Sequence, residues 1–332
     1  MPTFDDKLED WKDVADDFVG ASLLLGNGAS RSIWDSFEYA SLLEATRSNI
    51  YKRLKPEDYS LFKKLKTENF EQVLGTLQSA VLACEALGLN PEPFEKPYAR
   101  IRDALGEAVT RVHVPWDKLG EDRLKLLNTI LAQYDFVFTT NYDLLVYWAI
   151  MQEPSDFRDY FWGQGFDLTD TEIWGKVTKV VYLHGALHLY RAQSGEVWKA
   201  KKENFGADLL LKFPNAFGPG VEPLLISEAS SADKLRSIYG SDYLSFAYSQ
   251  FTNHKGALVI FGQGLSNNDQ HLIDAINSWP DQELAVSITG GKPARIKARK
   301  GELASLFPDA DITFFKAGSH PLGDPKLHVE QA

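Results

Sequence analysis

Ala21-Ser22-Leu23-Leu24-Leu25-Gly26-Asn27-Gly28-Ala29-Ser30 is the stretch that decides the fold class. The short apolar run at 21–25 has the length of a buried strand, and it passes without a spacer into a glycine turn. A strand that feeds a glycine turn is the usual entry to a doubly wound α/β sheet.

The same pattern recurs further along the chain. Phe136-Val137-Phe138 leads into Thr139-Thr140-Asn141-Tyr142-Asp143, and Val177–Leu183 ends in His184-Gly185. Ala257–Phe261, the strongest buried-strand candidate, runs into Gly262-Gln263-Gly264-Leu265-Ser266. Leu284–Ile288 and Ile312–Phe315 supply two more strands, and Leu224–Ile226 a short one. Leu187–Tyr190 and Glu196–Lys199, joined across Ser194-Gly195, read as a hairpin.

Helical readings fill the rest. Phe4, Leu8, Trp11, Ala15 and Phe18 recur at steps of four and three, which predicts a first amphipathic helix. Residues 36–133 hold no convincing strand and read as a large helical insertion, with Leu124, Leu127, Ile130 and Leu131 on one face. Leu235, Ile238, Tyr239, Phe246 and Phe251 suggest one long helix, and the polar tail from Gly318 is expected to be loose. The expectation is a single domain over 1–332: a Rossmann-like, doubly wound, mostly parallel sheet carrying that insertion.

The totals bound the function. A chain of 332 residues, 44% hydrophobic, can bury a large core. Its formal net charge of −11 argues against broad electrostatic binding to nucleic acid or to an anionic membrane. Cys84 is the only cysteine, which excludes an intrachain disulfide and a cysteine-rich zinc site. The acidic start is no signal or transit peptide, and no apolar run approaches a membrane span, so the expected compartment is the cytoplasm.

In open parallel sheets ligands bind beyond the carboxyl ends of the strands, and four expected strands here end in small or polar residues. GNGAS at 26–30 could bring backbone amides and Ser30 to a phosphate, or be a tight turn into a helix capped by Ser30 or Ser32. TTNYD at 139–143 could form a polar pocket through Asn141 and Asp143, or cap the helix holding Leu144, Leu145 and Trp148. His184 on the sheet rim suits a general base, though a buried histidine also serves packing alone. GQGLS at 262–266, followed by Asn267-Asn268-Asp269, could hold phosphate or ribose hydroxyls, or start another capped helix.

Taken in order, GNGAS, TTNYD, LHG and GQGLS resemble the four loops of the sirtuin superfamily, in particular its divergent prokaryotic branch. The resemblance spans residues 26–271 and implies NAD as the bound molecule, consumed as a substrate, with no metal. It implies that Gly26, Gly28, Ala29 and Ser30 meet the diphosphate and neighbouring ribose. Asn141 would sit by the nicotinamide ribose, with Thr140 beside it where the family has glutamine, and Asp143 would hold the carboxamide. His184 would be the general base. Gly262, Gly264 and Ser266 would line the adenosine side, with Asp269 and His271 matching the divergent branch. Asn27 replaces an alanine of the family pattern, the Gly-Ile-Pro-x-Phe-Arg signature of deacetylases is missing after Ser30, and no four-cysteine zinc module follows His184. These departures argue against protein deacetylation.

The reading that follows is an NAD glycohydrolase releasing nicotinamide and ADP-ribose. The resemblance places such enzymes in prokaryotic anti-phage defence, held quiet until triggered through self-assembly, a separate regulatory protein or the helical insertion. Two rivals stand beside it: a non-catalytic NAD or ADP-ribose sensor, and an ADP-ribosyltransferase. Lys292, Arg295, Lys297, Arg299 and Lys300 form a basic cluster that reads as a solvated face, with a partner's acidic surface or a nucleic acid as the alternatives. Tyr160, Phe161, Trp162 and Phe166 read as core, an oligomer contact or a lid.

Overall fold

The computed structural model describes residues 4–47, 54–163, 165–192, 194–200, 210, 221–226 and 230–330. Among the described residues ten strands are seen: β1 (Ser22–Leu25), β2 (Phe136–Thr139), β3 (Phe157–Arg158), β4 (Thr178–Tyr182), β5 (Gly185–Ala192), β6 (Val197–Lys199), β7 (Val221–Leu225), β8 (Leu258–Phe261), β9 (Glu283–Ile288) and β10 (Asp311–Lys316). Seven form one sheet in the order β10-β9-β8-β1-β2-β4-β3, and every neighbouring pair in it is parallel. Parallel strands are covered on both faces, which is why β1 and β8 are apolar and buried at nearly every position. The architecture is thus α/β and Rossmann-like.

The chain leaves β1 for β2 on one side and later returns as β8 on the other, so β1 marks the topological switch point. Leu23 faces Val137 on one flank and Val259 on the other. The three carboxyl ends therefore lie side by side. A second, antiparallel sheet, β6-β5-β7, begins directly after β4: Leu183 and His184 turn the chain, and Gly185 enters β5 at φ +76°. The expected hairpin is there, with Tyr190 opposite Trp198.

Between β1 and β2 the described residues are helical, the two longest helices being Phe70–Ala86 and Glu92–Val112. Residues 48–53 of that span lie outside the described residues. Val73, Leu74 and Leu77 of the first helix and Ile101, Leu105 and Val109 of the second are buried on their inner faces. Arg100 reaches across to Asp58 of helix Pro56–Leu65 with a two-pronged hydrogen bond of 2.7 and 3.0 Å. Among the described residues no helix is long and apolar enough to cross a membrane.

Three local expectations are corrected. The first helix is only Trp11–Val14 continued by a short 3-10 turn, because Glu9 pairs its backbone with Phe314 and Lys316 and stretches the preceding residues along β10. The single helix expected over 235–251 is two, Ser231–Tyr239 and Asp242–Thr252. Gly240 ends the former, and Ser241 caps the latter at Leu244. The tail from Gly318 is not loose: His320, Leu322, Leu327 and Val329 are buried, and the Val329 amide donates to Ile33 at 2.8 Å. Strand β3 had no reading of its own, since its two residues carry no period.

The remaining clusters resolve simply. Tyr160, Phe161 and Phe166 pack against Tyr243 and Phe246, so they are core, while Trp162 stays exposed. Of the basic cluster, Lys300 is buried against Asp5, Lys297 faces Asp6 and Arg299 pairs with Glu302. The acidic N-terminal segment thus neutralises part of it.

Candidate functional site

The carboxyl ends of β1, β2 and β8 open into a cleft of about 770 Å³. Its size lies within the range of ligand sites. The wall from the sheet side carries Thr140, Asn141, Asp143, His184 and the turn after β8, from Gly262 to Ser266. The opposite wall comes from the helical segment, through Phe37, Leu42, Asn69–Gln72, Leu105 and Val109.

The two glycine turns are interlocked. The Gly26 amide donates to Phe261 and the Gly28 amide to Gly262, at 3.1 and 2.8 Å. A Cβ on Gly28 would lie 2.8 Å from the Gly262 backbone, and one on Gly262 would lie 2.2 Å from the Ala29 nitrogen. Close backbone contact is therefore what these glycines provide. The Ala29 amide is also engaged, donating to Gly26. The three amides expected to cradle a phosphate are occupied within the protein, and Gly26, Ala29 and Ser30 do not line the cleft. Gly28, Gly262 and Gly264 do.

Behind the cleft wall runs one hydrogen-bonded chain. Asn141 Nδ2 donates to the Gly26 carbonyl at 3.0 Å and to Ser30 Oγ at 2.9 Å. Ser30 Oγ donates to Asp143 Oδ2 at 2.5 Å, and Asp143 Oδ1 accepts the Leu145 amide at 2.9 Å. A carbonyl can only accept, so Gly26 fixes the orientation of the Asn141 amide. Asn141 Oδ1 is left buried with no partner among the described residues. Asp143 thus accepts the first amide of helix Leu145–Ile150 and also lines the cleft. Thr140 donates to Gln263 Oε1 at 2.9 Å, tying the β2 loop to the β8 turn.

His184, buried at the β4–β5 turn, meets His271 Nε2 to Nε2 at 2.9 Å. One ring must donate and the other accept, so the pair shares a single Nε2 proton. Burial, then Lys234, then His271 push His184 well below its ordinary range; burial takes His271 down to about 4. Both rings are neutral at physiological pH. His271 is fully buried behind His184 and outside the cleft lining, where it orients the other ring.

Four charged lining residues, Arg31, Glu71, Lys234 and Glu302, are not among the residues expected from the sequence. Lys234 is buried in the cleft wall, 3.2 Å from Glu71 Oε2 and 3.5 Å from Asp269 Oδ1. Burial pulls its ammonium down, but the two carboxylates outweigh that and the net shift is upward. Burial raises Glu71 against the opposing pull of Lys234. Asp269 Oδ2 also accepts from Ser266, closing the turn after β8. The signal for Lys234 was its place four residues before buried Ile238, on the inward face of an amphipathic helix. Nothing local marks Glu71.

The described lining holds four carboxylates (Glu71, Asp143, Asp269, Glu302) and two basic groups (Arg31, Lys234). Glu71 and Asp269 share Lys234 and Glu302 pairs with Arg299, so most of this charge is balanced within the protein. Among the described residues, no group of three or more His, Cys, Asp or Glu side chains is arranged to hold a metal ion.

The family model for a domain of unknown function, DUF4917, matches residues 23–321, and the chain belongs to that family. No curated protein matches the chain.

Proposed function

We propose that this member of the DUF4917 family binds NAD in the cleft and hydrolyses it to nicotinamide and ADP-ribose. The family itself names no activity, so the reading rests on the site and on the sirtuin-like order of its loops. The observation that carries it is that Asn141, whose buried Oδ1 has no partner among the described residues, and His184 both line one cleft at the switch point of a parallel sheet.

The bond to be broken joins ribose C1′ to the cationic nicotinamide nitrogen. It breaks through an oxocarbenium-like state, with the electron pair leaving on nicotinamide. The unpartnered Asn141 Oδ1 is a preoriented acceptor for a ribose hydroxyl or the attacking water. Asp143, held by Ser30 and the Leu145 amide, takes the carboxamide NH₂. With its Nε2–H donated to His271, neutral His184 accepts at Nδ1 the proton that water releases on attacking C1′. Because the Gly26, Gly28 and Ala29 amides are paired, the diphosphate falls instead to Arg31, half-exposed at the rim, in competition with its ion-pair partner Glu38. The same resemblance supports a role in defence against phage.

The test is turnover of a fluorogenic NAD analogue by the full chain, by Asn141→Ala and by His184→Ala. Each substitution is expected to lower kcat by about 10²-fold or more. Tight NAD binding with no turnover at any concentration would favour a sensor. Labelling of a protein or nucleic acid by ADP-ribose would favour transfer. Neither binding nor turnover would remove the proposal.

A further inference from the structure

We infer that His113, outside the cleft lining and outside all four loops, is the positioning residue through which the helical segment sets the geometry of the Asn141–Leu145 loop. The inference rests on the proposed function for its catalytic meaning, though not for its structural content.

His113 follows directly on helix Glu92–Val112 and is buried. Its Nδ1 lies 2.9 Å from the Val114 carbonyl, and its Nε2 lies 2.9 Å from the Leu144 amide. A carbonyl only accepts and an amide N–H only donates, so the tautomer is fixed: Nδ1 carries the proton and Nε2 accepts. The bond lands between the residues that matter. Leu144 follows Asp143, whose carboxylate takes the next amide, Leu145, and bonds Ser30, which in turn bonds Asn141. The ring is clamped edge-on against Phe37 and Trp148, with centroids 5.3 and 4.6 Å away, so it has little freedom to follow a displaced loop.

The same helix end holds the first glycine loop. Trp34, which closes helix Asn27–Ile33, donates its indole N–H to the Val112 carbonyl at 2.6 Å. Two adjacent residues, Val112 and His113, thus grip the segments that follow β1 and β2. Farther up the helix, Leu105 and Val109 line the cleft, and Arg100 is tied to Asp58. The part of the helix beyond Pro97, from Arg100 to Val112, therefore acts as a rod from the outer helices to the reacting groups. A shift of that rod moves Leu144, and with it Asp143 and Asn141.

His113→Phe keeps the ring packing and deletes the acceptor. His113→Gln restores an acceptor, Oε1, at about the reach of Nε2. Two readouts are taken on the full chain. Hydrogen exchange at the Leu144 amide is expected to be slow in wild type and His113→Gln, and about tenfold or more faster in His113→Phe. Turnover of the NAD analogue is expected to fall about 10- to 100-fold in kcat for His113→Phe with KM nearly unchanged, and to recover in His113→Gln. Exchange that follows this pattern without turnover in any protein would sink the glycohydrolase reading and leave His113 as the loop's anchor. Undiminished Leu144 protection and turnover in a folded His113→Phe would overturn the inference. Should His113→Phe not fold, His113→Gln is compared with His113→Asn, one methylene too short to reach Leu144. Protection in Gln but not Asn supports the assignment, and the same protection in both overturns it.

Discussion

His320 illustrates how one neutral ring can hold a segment in place. Its Nδ1 accepts the Leu322 amide at 3.0 Å, which leaves the proton on Nε2 to donate to Tyr134 Oη at 2.8 Å. Trp11, Phe261 and Phe315 enclose the ring, and burial lowers it to about 3. His271, lowered to about 4, is a second such group. The sign follows from linkage: an unfolded histidine titrates near 6.5, so below that pH the unfolded chain binds protons that these rings refuse. Their stabilisation is complete above about pH 6.5 and is lost as pH falls towards the folded values. Each ring contributes a slope of about 1.4 kcal/mol per pH unit in that window. Urea unfolding between pH 7 and 5 should therefore lose stability steeply in wild type, and His320→Gln should be less stable at pH 7 but flatter with pH. An unchanged slope in that variant would mean that His320 is protonated in the folded protein.

At the scale of elements, Gly185 is the hinge between the two sheets. It starts β5 at φ +76°, pairs with Leu225, and a Cβ there would stand 1.8 Å from the Leu224 carbonyl oxygen. An alanine must therefore push β7 away or leave the left-handed region, and either change drags the adjacent His184. Gly185→Ala is expected to cost about 3 kcal/mol or more, read by urea unfolding, and to abolish turnover even where a folded fraction survives. Wild-type stability in that variant would refute the clash. The His-Gly pair was legible in the sequence because an apolar run stops there, as at Gly26, Thr139 and Gly262. Periodicity reports burial, and these four ends of buried runs meet in space because a parallel sheet aligns them. What periodicity does not report is contact between distant elements. Glu71 and His113 look like ordinary helix-terminal residues, and only their meetings with Lys234 and Leu144 give them a role. Nor could spacing reveal that the Gly28 amide already serves Gly262, since that depends on how closely two turns approach. The steps of four and three at Phe4–Phe18 misled for a related reason: pairing of Glu9 beside β10 outweighed local helical preference.

For the whole molecule, both ends of the described chain brace the site from behind. The N-terminal segment lies along β10, and the Trp11 amide donates to Ser319 Oγ at 2.8 Å. The C-terminal segment then crosses to helix Asn27–Ile33. Ser32 Oγ donates to the Leu322 carbonyl at 3.2 Å, and Val329 reaches the Ile33 carbonyl at 2.8 Å. That helix carries Ser30, the middle link between Asn141 and Asp143, so the tail supports the site without touching it. Leu322, Leu327 and Val329 are each at most 4% exposed. Burial of such side chains is worth about 1.5–3 kcal/mol apiece. Their sum is a large part of the about 5–15 kcal/mol that holds an ordinary domain together. Ending the chain at Ala317 is therefore expected to lower Tm by about 6–13 °C, or to leave the protein insoluble. Where the truncated protein can be kept folded at low temperature, amide exchange in residues 27–34 should rise before that in β8 and β9, which the tail does not brace. A truncated chain with unaltered Tm and unaltered exchange at 27–34 would make the tail an ornament, and the support for Ser30 would have to come from the interlocked glycine turns alone.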